Sequence, residues 1–129
     1  MKATILKKPG QPLEMVDLPI PKPKENEILI KVSVCGACHT DLDEFEGRLP
    51  TKLPVVPGHQ VVGIVTELGR GVTKHKVSDR VGVTWLYSSC GQCNFCKTGQ
   101  ENLCEKAKWT GKDADGGYAE YMVINENYA

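Results

Sequence analysis

Short β-like runs broken by glycine and proline dominate the pattern of apolar and polar positions. Ile28, Ile30, Val32 and Val34 alternate with Leu29, Lys31, Ser33 and Cys35, the period-2 signature of a strand with one more buried face. Val61–Leu68 is apolar on both faces and rich in β-branched residues, which predicts a central strand ending at the Gly69-Arg70-Gly71 turn. Asp79–Trp85 and Tyr118–Ile124 predict two further strands. Ala3–Leu6 and Leu13–Asp17 flank a Pro-Gly turn and predict a hairpin. All eight prolines fall at or before Pro57, with clusters at 19–23 and 50–57 that mark extended connectors. One stretch predicts a helix: Asp41-Leu42-Asp43-Glu44 has the form of a capping box, and Gly47 supplies a stop. The expectation is a mostly-β domain, a distorted, partly open barrel with one short helix and one cysteine-bearing loop.

At 129 residues the chain fits a single domain, 1–129. Basic and acidic residues number 16 each, so charge offers no footprint for a nucleic acid or an anionic membrane. The apolar runs fall far short of the roughly 20 residues of a bilayer span, and no signal-peptide core develops after Met1. A cytoplasmic location is therefore expected, where six reduced cysteines point to metal rather than to disulfides.

Cys90, Cys93, Cys96 and Cys104 stand in a C-x2-C-x2-C-x7-C pattern within a loop spanning 88–106. Such short spacers let thiolates converge on one ion, and four sulfur ligands close its coordination shell. The pattern predicts a structural zinc site. The rival is an iron–sulfur cluster, which shares the C-x2-C-x2-C spacing. Against it, Cys104 is followed by Glu105 rather than proline, and no second cysteine set exists.

A second constellation joins Cys35-Gly36-Ala37-Cys38-His39-Thr40-Asp41, at the end of one strand, to Pro57-Gly58-His59-Gln60, at the start of the next. A thiolate and an imidazole from two strand ends suit a zinc that keeps an open position, with Asp41 orienting the His59 ring. A lone cysteine and a lone histidine also fit plain packing. Cys35 reads as a buried small hydrophobe.

These segments, with Ser78–Val83, the four-cysteine loop and Asp115-Gly116-Gly117-Tyr118-Ala119-Glu120-Tyr121, resemble the N-terminal catalytic domain of the zinc-dependent medium-chain alcohol dehydrogenases. The resemblance implies a GroES-like, partly open β-barrel. It implies Cys38 and His59 as catalytic zinc ligands, and Cys90, Cys93, Cys96 and Cys104 as ligands of a structural zinc. Thr40 matches the hydroxyl that passes on the alcohol proton, His39 a residue near the cofactor pyrophosphate, and Trp85 an aromatic wall of the substrate pocket. Two positions depart from the family pattern: Gln60 stands where many members carry Glu, and Asp43 where many carry His.

The implied activity is hydride transfer between a small alcohol or aldehyde and NAD(P). No G-x-G-x-x-G occurs in these residues. In the family a dinucleotide-binding domain and a third catalytic zinc ligand follow, so the resemblance implies that this chain lacks both and is inactive alone. The alternative is a stand-alone zinc-binding or interaction module without turnover.

Overall fold

The computed structural model describes residues 1–129. Eight strands dominate it: β1 (Lys2–Ile5), β2 (Glu14–Asp17), β3 (Glu27–Cys35), β4 (Val61–Leu68), β5 (Arg80–Val83), β6 (Leu86–Ser88), β7 (Lys108–Trp109) and β8 (Tyr121–Asn125). Helix α1 (His39–Phe45) follows β3, and the single turn α2 (Asn94–Lys97) lies in the cysteine loop. The main sheet has the order β5-β4-β3-β8 and is antiparallel throughout. β1 and β2 form the expected hairpin, with Lys2 opposite Asp17. β6 and β7 pair as a small ribbon on either side of the cysteine loop. No helix is long and apolar enough to cross a membrane.

Alternation builds the core. Ile28 and Ile30 on β3, Val61 and Val65 on β4, Val81 and Val83 on β5, and Met122 and Ile124 on β8 form one buried cluster. Each strand thus contributes residues two or four apart, the spacing that keeps side chains on one face. Gly63 continues the β4 stripe without a side chain. A Cβ there would lie 2.4 Å from Ile30 Cγ2 and 2.5 Å from the Lys31 carbonyl oxygen.

Three expectations needed correction. The buried face of β3 does not reach Val34, which is 56% exposed. β8 pairs with Glu27–Lys31, and past the Val32 N–H bond to the Glu120 carbonyl only β4 continues beside β3. The last expected strand begins at Tyr121 rather than Tyr118, because the preceding residues bond elsewhere: Ala119 bridges to Ala3, and Thr4 N–H donates to the Tyr118 carbonyl at 2.7 Å. Helix α1 starts at His39 rather than Asp41. Asp41 closes the turn from the third helical position, its Oδ2 accepting the Cys38 N–H at 2.7 Å. Its C-terminal stop is as read, with Gly47 at φ 76° just past the Glu46 cap.

Candidate metal centres and active-site residues

The β6–β7 ribbon presents the cysteine loop. The Sγ atoms of Cys90, Cys93, Cys96 and Cys104 all lie within 4.8 Å of one another. Cys90 and Cys96 sulfurs are 3.9 Å apart, and Cys93 and Cys96 sulfurs 3.5 Å. Sulfurs at about 2.3 Å from a tetrahedral zinc are separated by about 3.8 Å, so the loop fits that ion as folded. Backbone N–H groups already point at the sulfurs. Gln92 and Cys93 donate to Cys90 Sγ at 3.4 Å, and Lys106 donates to Cys104 Sγ at 3.4 Å. Donation from Gln92 and Cys93 pulls the Cys90 thiol down to about 6, toward the thiolate a metal requires. Ser89 adds a tie the sequence did not reveal. Its hydroxyl accepts from Cys96 Sγ at 3.3 Å and bonds the Tyr128 hydroxyl at 2.8 Å, joining the loop to the last turn of the chain.

The second constellation forms where β3 ends and β4 begins. Cys38 caps α1, and Thr40 and Asp41 occupy the helix's first turn. Cys38 Sγ approaches Thr40 Oγ1 at 3.7 Å. His59, 5% exposed, lies two residues before β4. Asp41 stands between them: Oδ2 accepts from Cys38 N–H, while Oδ1 faces His59 Nδ1 at 3.8 Å. That distance is too long for a hydrogen bond, and both facing atoms are buried without a partner. Burial lowers the His59 pKa from its ordinary value, against the opposing pull of Asp41, so the ring is neutral near pH 7 as a metal ligand must be. The donor set, a thiol and a neutral buried imidazole with one unpartnered nitrogen, fits zinc.

Trp85 meets His59 edge-to-face, with ring centroids 4.7 Å apart at 67°, and stacks on Trp109 at 5.4 Å. His59 and Trp85 line one concavity of about 590 Å³, whereas Cys38, His39 and Asp41 line another of about 660 Å³ together with Leu13, Leu42 and Phe45. His39 is exposed. Cys35 is half-buried, and burial raises its thiol pKa. Gln60 lies against Gly36, where an added Cβ would come within 2.6 Å of Oε1. Asp43 accepts from Arg48 Nε at 2.8 Å.

Sequence reasoning passed over Tyr118 and Glu44 as site residues. Tyr118 belongs to the Asp115–Tyr121 segment, and its hydroxyl donates to Asp41 Oδ2 at 2.9 Å. Glu44 read as part of an acidic helix start, yet it is 1% exposed. The Tyr118 ring lies against Gly58, whose φ is 94°; a Cβ there would meet Tyr118 Cδ1 at 2.7 Å and Cys35 Sγ at 2.8 Å. Gly58→Ala is expected to destabilise the fold by about 1–3 kcal/mol through backbone strain and this clash. A denaturant midpoint equal to wild type would show that the segment relaxes freely.

The half-buried Cys38 and Asp41 and the buried His59 thus sit at one end of a mostly-β scaffold that carries a separate four-thiol loop. The family profile described as Alcohol dehydrogenase GroES-like domain matches residues 24–129. The chain belongs to this family. It is 48% identical over 130 residues to an alcohol dehydrogenase of Geobacillus stearothermophilus, covering 99% of this chain and 39% of that protein. Among solved structures, an alcohol dehydrogenase of E. coli CFT073 complexed with NADH superposes with a TM-score of 0.92 at 36% identity, covering 100% of this chain and 37% of that one. A cobalt- and zinc-bound thermostable alcohol dehydrogenase from Pyrobaculum aerophilum gives a TM-score of 0.92 at 33% identity, covering 99% and 40%. The chain thus spans about two fifths of the length of these relatives.

Proposed function

We propose that this chain is the catalytic domain of a zinc-dependent alcohol dehydrogenase, which oxidises small alcohols or reduces aldehydes and ketones with NAD(P). The observation that carries the reading is Asp41, whose two oxygens address the Cys38 backbone and the His59 ring at once. Cys38 and His59 would hold the catalytic zinc, with a third protein ligand from outside these residues. Zinc bound there supplies Lewis-acid polarisation of the substrate oxygen. Thr40, on the first turn beside Cys38 Sγ, would take up the alcohol proton. Trp85, edge-to-face on His59, would wall the substrate pocket, and the exposed His39 would meet the cofactor pyrophosphate.

Cys90, Cys93, Cys96 and Cys104 would hold a second, structural zinc that closes the 88–106 loop; their convergence within 4.8 Å supports this, and thiols used for metal accord with a reducing, cytoplasmic setting. The nicotinamide cofactor is held by a dinucleotide-binding domain outside these residues, as the lack of a G-x-G-x-x-G motif here suggests.

The test is a pair of assays. The 129-residue chain alone is expected to show no alcohol-dependent reduction of NAD or NADP. Joined in frame to the remaining part of the Geobacillus relative, it should reduce the cofactor in a manner abolished by Cys38→Ser. A folded, zinc-loaded fusion whose rate is unchanged by Cys38→Ser would sink the reading.

A further inference from the structure

We infer that Tyr118 is a positioning residue of this site: its hydroxyl orients the Asp41 carboxylate so that the free oxygen faces His59 Nδ1, holding the ring in the tautomer that leaves Nε2 available to a metal. The inference rests on the reading of Cys38 and His59 as zinc ligands.

Three segments meet at Tyr118. Gly116 N–H donates to Val56 O at 2.7 Å, Gly117 N–H to Gly58 O at 2.8 Å, and Tyr118 N–H to Pro57 O at 3.0 Å. Residues 116–118 therefore run beside the stretch that leads into His59. Gly58, lacking a side chain, lets the Tyr118 ring lie against that backbone. From there the hydroxyl crosses to α1 and donates to Asp41 Oδ2 at 2.9 Å, the same oxygen that accepts the Cys38 N–H at 2.7 Å.

Two donors converging on one oxygen fix the rotation of the carboxylate. They leave Oδ1 as the oxygen aimed at His59. Oδ1 and His59 Nδ1 are both buried and otherwise unpartnered, 3.8 Å apart. A carboxylate oxygen only accepts, so the nitrogen it faces is favoured as N–H, and a neutral imidazole protonated on Nδ1 carries its lone pair on Nε2. Without the hydroxyl, the Cys38 N–H alone holds the carboxylate, which can then turn. A ring that served only as filler against Gly58 would do so equally well as phenylalanine.

Tyr118→Phe tests the inference by 15N NMR of the imidazole nitrogens in the 129-residue chain at pH 8, after mild chelation, with His59 assigned by a His59→Gln variant. Wild type is expected to show Nδ1–H as the majority form, and Tyr118→Phe to lose that majority while the amide spectrum away from the site stays unchanged. The same majority in both proteins would overturn the inference. Co2+ added to both should bind the Cys38/His59 pair about 10-fold more weakly in the variant, the usual effect of removing a group that orients a ligand. The two readouts separate the failures. A tautomer change without Co2+ at Cys38 and His59 removes the zinc-ligand reading and keeps the role of Tyr118. Co2+ binding with an unchanged tautomer does the reverse. Should Tyr118→Phe not fold, wild type alone decides: an Nε2–H majority overturns the inference, whereas Nδ1–H together with a Tyr118 hydroxyl proton protected from exchange supports it.

Discussion

Substituting Cys90 with serine is expected to cost the chain its one tightly held zinc, whereas Cys38→Ser leaves that zinc in place. The four sulfurs of the loop are gathered within 4.8 Å by residues all contained in one segment. Backbone N–H groups from Gln92, Cys93 and Lys106 are already directed at two of them, so little reorganisation opposes binding. Structural zinc contributes roughly 10–16 kcal/mol of apparent binding free energy in small modules. Losing one thiolate removes a charged, directly bonded ligand, and affinity should fall by several orders of magnitude.

The structural consequence should stay local. The buried cluster of β3, β4, β5 and β8 contains no residue of the loop. Cys93→Ser should therefore abolish hydrogen-exchange protection across roughly residues 88–106 while the barrel strands keep theirs. Atomic absorption after mild chelation checks the first outcome and hydrogen exchange the second. Two chelation-resistant zincs, one of them sensitive to Cys38→Ser, would mean that these residues complete the second site on their own. A brown, iron-containing protein would instead favour the cluster alternative.

The second large effect belongs to Glu44. This carboxyl is 1% exposed, and neither oxygen has a hydrogen-bond partner. Burial, reinforced by the nearby charge of Asp41 and opposed by Lys112, pushes its pKa up to about 7 from 4.5. The folded state therefore binds this proton more tightly than the unfolded chain does. Its stabilising contribution is complete below about pH 4.5 and disappears as pH rises through about 7. A shift of that size corresponds to about 3 kcal/mol. Glu44→Gln keeps the shape and removes the titration. The stability difference between variant and wild type should therefore move by about 3 kcal/mol in the variant's favour between pH 4 and pH 8.5. Urea unfolding of the two proteins, both metal-free so that zinc release in acid does not enter, measures it across that range. A pH-independent difference would show that Glu44 reaches water.

The cysteine loop was legible because its chemistry is local. With spacers of two and seven residues the ligands cannot stray far from one another, so the pattern itself brings the thiols together. Two of the core strands were legible for a related reason: alternation marked the buried face of β3 as far as Ile30, and the β-branched, apolar run of β4 marked an interior strand. The proposed Cys38/His59 pair left only a weak mark, because residues on separate strand ends carry no short spacing, and the resemblance singled it out.

Tertiary structure alone decided the rest. Periodicity cannot say which side of a seven-residue helix meets the barrel, and α1 turns Glu44 inward while Leu42 remains 53% exposed. Residues three apart share a helix face, so packing Asp41 toward His59 carries Glu44 inward with it, against its own preference for water. Tyr118 depends on a long-range decision. Its hydroxyl reaches Asp41 across 77 positions of sequence, and only because residues 116–118 bond to the backbone of 56–58. Strand sequence encodes burial and alternation, but the partner a polar tip finds is set by how distant segments pack.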